Sequence, residues 1–111
     1  MESIGDLDEV ALCLPIVQEI LQGIREDRAH RIARDALASF PMVESPLREE
    51  IFLEATELFR TARRRGLNVR SGVDCLIAVC AIRNDLEIVH RDRDFDKLAS
   101  VSPLRVRAIA S

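Results

Sequence analysis

Two short stretches carry the chemistry of this chain. Val73-Asp74-Cys75-Leu76-Ile77-Ala78 sets one carboxylate near the start of an almost wholly apolar run. His90-Arg91-Asp92-Arg93-Asp94-Phe95 sets two more just past a short apolar strand, Leu86 to Val89. A buried helix gains nothing from a lone Asp, because an ionised carboxylate is costly to bury unpaired. An acidic cluster beyond a strand's C-terminal end lies where open α/β sheets place their sites. Asp92 and Asp94 are two apart, so an extended segment sends both carboxylates the same way. Two such anions at about 4 Å repel by roughly 1–4 kcal/mol, depending on the effective dielectric. A bound Mg²⁺ or Mn²⁺ removes that penalty, and hard cations choose carboxylate oxygen. These residues read as carboxylates converging on a divalent metal.

Plainer readings compete at each position. Asp94 can cap a helix over Phe95 to Leu98, with Asp92 paired to Arg91 or Arg93. Ser71-x-x-Asp74 matches a capping box, although that leaves unexplained why an Asp runs straight into Cys75-Leu76-Ile77-Ala78. Glu19 follows Ile16 by three on the first helix and is either a fourth ligand or a helix-surface residue. His90 is a general base, or a structural or phosphate-contacting group. Arg63, Arg64 and Arg65 contact an RNA backbone or complement a helix dipole. Asp35, Asp85 and Asp96 read as surface or capping residues.

The elements that position these groups follow from hydrophobic period. Val10 to Leu14 reads as a buried strand. Pro15 fits the first position of a helix bearing Ile16, Val17, Ile20, Leu21 and Ile24. Glu26 to Phe40 reads as a second helix, with Ile32, Ala33, Ala36, Leu37 and Phe40 as its inner stripe. Ser45 is expected to cap a long helix from Pro46 to Arg65 with Ile51, Phe52, Ala55, Leu58, Phe59 and Ala62 inside, ended by Gly66. Gly72 to Asn84 is apolar on nearly all sides, hence central. A strand over Leu86 to His90, a short helix to Leu98 and an edge strand over Leu104 to Ile109 complete an α/β pattern.

Bulk numbers narrow the class. The 111 residues, 48% hydrophobic, support one domain with one core. A net charge of −3 argues against non-specific polyanion binding by the whole surface. Cys13, Cys75 and Cys80 are odd in number and lack a C-x-x-C spacing, so reduced, buried thiols in a cytoplasmic protein are expected rather than zinc or a cysteine nucleophile. The acidic start is no signal peptide, and no apolar run is long enough to span a membrane.

Pro15-Ile16-Val17-Gln18-Glu19-Ile20-Leu21-Gln22-Gly23, Ala62-Arg63-Arg64-Arg65-Gly66-Leu67, Val73-Asp74-Cys75-Leu76-Ile77-Ala78 and His90-Arg91-Asp92-Arg93-Asp94-Phe95-Asp96 together resemble the PIN-domain family, in particular the VapC-type toxins of bacterial toxin–antitoxin pairs. The resemblance runs from residue 10 to residue 111, with residues 1–9 as an acidic N-terminal segment. It implies a three-layer α/β/α domain with a short parallel sheet. It implies Mg²⁺- or Mn²⁺-dependent hydrolysis of RNA by metal-activated water, a small cognate antitoxin and a homodimer. Carried over by motif, Glu19, Asp74 and Asp92 are acidic site residues, with Asp94 beside them.

One departure stands against these matches. Family members usually begin with a central strand ending in a metal-ligating Asp, whereas Asp6 and Asp8 fall in an acidic, non-strand segment. The expectation is a domain missing its first central strand. That makes this chain weakly active or inactive, or a protein-binding remnant that does no chemistry.

Overall fold

A computed structural model describes residues 10–109. The acidic segment 1–9, with Asp6 and Asp8, lies outside the described residues. The chain forms two compact units, the first closing at Pro46 and the second opening at Leu47.

The first unit holds β1 (Leu12–Cys13), α1 (Leu14–Gln22), α2 (Asp27–Leu37) and β2 (Met42–Val43). β1 and β2 pair in parallel, Leu12 opposite Met42 and Cys13 opposite Val43. The expected strand to Leu14 is shorter because α1 claims Leu14, which sets Pro15 in the first turn where its missing N–H leaves no bond unmade. Glu26 caps α2, accepting from Ala29 N at 3.1 Å. α2 stops at Leu37 rather than Phe40, and Ser39 Oγ donates to the terminal Ala36 carbonyl at 2.7 Å. The expected inner stripe of α2 is not buried: no α2 residue is, and Ile32 is 59% exposed. Helical period shows which face is apolar, but not whether anything covers it.

The second unit holds α3 (Glu49–Arg64), α4 (Gly72–Arg83), β3 (Glu87–His90), α5 (Arg93–Ala99) and β4 (Arg105–Ala108). α3 does not start at Pro46 under a Ser45 cap. Arg48 is extended and takes the cap position without a side-chain bond. Glu49 and Glu50 then fill the first turn, where the dipole favours them. At the other end Gly66 takes φ +75°, and Leu67 N and Gly66 N donate to the carbonyls of Ala62 and Arg63. That pair of bonds is a Schellman stop, which needs the left-handed residue that glycine supplies. Ile51, Ala55, Leu58 and Ala62 are buried. Phe52, expected inside, is 47% exposed, and Phe59 is half-buried under the Arg63 guanidinium, 4.9 Å from its ring centre.

α4 is the hub of this unit, as its all-round apolarity requires. Asp74, Cys75, Ile77, Ala78, Val79, Cys80 and Ala81 are buried, and the helix packs against α3, α5 and β3. Arg83 at its last turn reaches Glu54 at 2.8 Å and Glu50 at 2.9 Å on α3. β3 and β4 pair in parallel from Glu87 opposite Arg105 to His90 opposite Ala108. β3 alternates, with Ile88 and His90 buried and Glu87 and Val89 exposed. β4 buries none of its residues and is the edge strand that its alternating sequence predicts. Parallel pairing needs a crossover, and α5 makes it.

Candidate metal centre

Asp74 is placed by the cap of α4. Ser71 Oγ accepts from Val73 N at 3.2 Å, which starts the helix and sets Asp74 in its first turn, 8% exposed. The capping role of Ser71 and the burial of Asp74 are therefore parts of one arrangement rather than rivals.

Asp92 and Asp94 are placed by the exit from β3. Asp92 caps α5, and its Oδ1 accepts from Asp94 N at 2.9 Å. The capping role thus falls on Asp92, not on Asp94. Asp94 is turned inward and is 1% exposed. One carboxylate oxygen from each of Asp74, Asp92 and Asp94 lies within 4.8 Å of the others. Among the described residues this is the cluster that could hold a metal ion. Three carboxylates at this spacing form the all-oxygen donor set that suits a hard divalent cation.

Two cations already answer this charge. Arg70 donates to Asp94 Oδ2 from its backbone N at 3.0 Å and from Nε at 3.3 Å. Its Nη2 donates to Asp92 Oδ1 at 3.1 Å. Lys97 Nζ donates to Asp94 Oδ1 at 3.2 Å and to the Asn68 carbonyl at 2.7 Å. Burial pushes the Asp94 carboxyl up, but the bonds from the Arg70 backbone, Lys97 and the Arg70 side chain outweigh it. Asp94 is held below the usual carboxylate range. The plainer alternative of pairing Asp92 with Arg91 or Arg93 is not what forms; Arg70 and Lys97, which the sequence does not single out, take the contacts to Asp92 and Asp94. Lys97 was within reach of a sequence reading, since it stands three residues after Asp94 on one helix. Arg70 lies 24 positions from Asp94, and no local pattern points to it.

His90 is a positioning group. It is 6% exposed, tilted against Phe95 with ring centres 5.5 Å apart. Its Nδ1 accepts from Asp92 N at 3.1 Å. An accepting Nδ1 puts the imidazole proton on Nε2. Nε2 lies 3.3 Å from Asp96 Oδ1, but off hydrogen-bond direction. With its lone pair spent on the turn that aims Asp92, His90 does not serve as a base at Nδ1.

Glu19 belongs to the first unit. It is exposed on α1 and accepts from Gln22 Nε2 at 3.3 Å. The three-carboxylate cluster is built wholly from the second unit. Cys75 follows Asp74 in the core; burial, with the charges of Asp74 and Asp94, pushes its thiol up to about 11, so it is protonated at neutral pH and no nucleophile. Cys13 and Cys80 are likewise buried and free of disulfides. The open cleft beside the cluster, about 840 Å³, is lined by Arg70, Arg91, Asp92, Arg93, Asp94 and Lys97 among others. No described helix is long and apolar enough to cross a membrane.

Comparison with known proteins gives the family and the fold. The family model described as PIN domain matches residues 1–101. A VapC ribonuclease from Mycobacterium bovis, Mb1587, is 41% identical over 96 residues, covering 86% of this chain and 71% of the relative. Ribonuclease VapC11 from Mycobacterium tuberculosis gives the same identity and coverage. Among solved structures, VapBC2 from Rickettsia felis, bound to a DNA fragment from its promoter, superposes with a TM-score of 0.73. At 17% identity it covers 95% of this chain and 80% of the other, and it shares the fold. With a family match over most of its length and relatives of this identity, the chain belongs to the PIN-domain family.

Proposed function

We propose that this protein is a Mg²⁺- or Mn²⁺-dependent endoribonuclease, the toxin of a VapBC-type toxin–antitoxin pair, acting in the cytoplasm on RNA. The observation that carries the reading is the meeting of Asp74, Asp92 and Asp94 within 4.8 Å, in a chain 41% identical to VapC ribonucleases. Asp74, Asp92 and Asp94 are assigned as metal ligands, with Glu19 as the further acidic residue of the motif set. Held by Asp74, Asp92 and Asp94, a divalent ion would supply a nucleophile at neutral pH and would offset charge on the phosphate.

The chain's own residues do the rest. Ser71 fixes the turn that buries Asp74. His90 fixes the turn that aims Asp92. Arg91 and Arg93, both exposed at the cleft, grip the RNA backbone; such contacts position a strand without reading its sequence. The protonated Cys75 takes no part. A small antitoxin is assigned as the partner, since the VapBC2 neighbour is a complex of that kind, and a homodimer as the assembly.

The direct experiment is cleavage of a labelled RNA with Mn²⁺, for the protein and for Asp92→Asn. Cleavage that EDTA abolishes and that falls about a hundredfold in the variant supports the proposal. Equal cleavage with and without EDTA sinks it. A second reading, a protein-binding module without chemistry, is favoured by the ion pairs that Arg70 and Lys97 already make with Asp92 and Asp94. Mn²⁺-independent binding of the antitoxin by a folded chain that cleaves nothing would establish it.

A further inference from the structure

We infer that Arg70 is an internal counter-ion that competes with the divalent cation for Asp92 and Asp94, and so sets the metal concentration at which the site fills. This inference rests on the metal-centre reading above.

The two cations at the cluster are held differently. Lys97 is one-third exposed, and its ammonium is tied both to Asp94 Oδ1 and to the Asn68 carbonyl. Leaving would break a bond to the backbone as well as one to Asp94. The Arg70 side chain is 69% exposed. Its guanidinium bonds the two carboxylates, Nε on Asp94 and Nη2 on Asp92. With most of its side chain in solvent, the fork can swing away without repacking the core. The Arg70 backbone N–H stays on Asp94 Oδ2 whatever the side chain does.

The fork spans the carboxylates that a shared cation needs. Asp92 Oδ1 already accepts from Asp94 N and from Arg70 Nη2, and Asp94 Oδ2 accepts twice from Arg70. A divalent cation entering between Asp92 and Asp94 meets a full positive charge within hydrogen-bond distance of both. Without metal, the same fork holds the two anions together and offsets their repulsion. Arg70 is thus a positioning residue for the empty cluster and a competitor for the filled one.

The test is Mn²⁺ binding to the full chain, followed by the loss of free-Mn²⁺ electron paramagnetic resonance signal, for wild type, Arg70→Gln and Arg70→Lys. Folding is verified by circular dichroism. Removing a unit charge this close should tighten Mn²⁺ binding by about tenfold or more in Arg70→Gln. Arg70→Lys keeps the unit charge beside the carboxylates and should stay within about threefold of wild type. Binding by Arg70→Gln alone would be the extreme of the same result. Wild-type binding with no tightening in Arg70→Gln overturns the competition and leaves the metal centre standing. Equal tightening in both variants overturns it too, because charge would not be the cause. If no form binds Mn²⁺, the metal reading and this inference fall together. A second readout is the Arg70 side-chain Nε–H resonance, which should shift on Mg²⁺ addition to the wild type and stay put in Asp92→Asn.

Discussion

The two units of this chain use similar sequence patterns to different ends. In the first, α1 and α2 are amphipathic helices with little inside: Leu12, Cys13 and Pro15 are its buried described residues, and Ile32 and Ile20 face out. In the second, α4 is buried over most of its surface, and Ile51 and Leu98 are wholly inaccessible. The acidic candidates divide in the same way. Glu19 stands exposed on α1, while Asp74, Asp92 and Asp94 are drawn together by a helix cap, a strand end and a second helix cap. Among the described residues, precise placement of charge goes with the more deeply buried unit. Rigid packing around α4 is what fixes the three carboxylates.

The contrast breaks first under core truncation. Leu98→Ala, in the second unit, should cost about 2–5 kcal/mol, whereas Ile32→Ala on the exposed face of α2 should stay within about 0.5 kcal/mol. Urea unfolding of the two variants measures both, and equal losses would mean that α2 is as well buried as α5.

Next comes metal affinity. Asp74→Asn should weaken Mn²⁺ binding by about tenfold or more, and Glu19→Gln by less. Isothermal titration decides it, and an equal loss would give the first unit an equal share in the site. Cap removal is smaller: Ser71→Ala should cost about 1 kcal/mol in a thermal or urea melt. The same substitution should weaken Mn²⁺ binding, because that cap aims Asp74.

The last prediction concerns pH. The folded-state pKa of Asp94 is depressed, so its contribution to stability is fully present above the ordinary Asp value of about 3.9 and is lost as pH falls through the lower folded value. The melting-temperature gap between wild type and Asp94→Asn should therefore be constant from pH 7 to pH 5 and close in stronger acid. A gap that widens in acid would reverse the assignment.

Much of this was legible in the sequence. The apolar run after Asp74 announced a central helix, and the strand before His90 with the acidic pair behind it announced the cluster. The resemblance to the PIN-domain family rested on the same residues. What was not legible has physical reasons. Ile32 and Phe52 sit at helical spacing that promises burial, yet coverage depends on what packs above them. Ser45 and Pro46 resemble a helix start, but Glu49 and Glu50 took the first turn. Asp92 rather than Asp94 caps α5 because a cap belongs to whichever residue is extended when the helix begins. Arg70 was invisible because its partners come from a distant strand end.

The most direct test of the metal centre is an anomalous-scattering map from crystals of the protein soaked in Mn²⁺. A peak is expected at about 2.0–2.3 Å from carboxylate oxygens of both Asp74 and Asp92, with the Arg70 fork withdrawn from Asp92. A map with no peak at these carboxylates, and Arg70 still bridging Asp92 and Asp94 at saturating Mn²⁺, would contradict it.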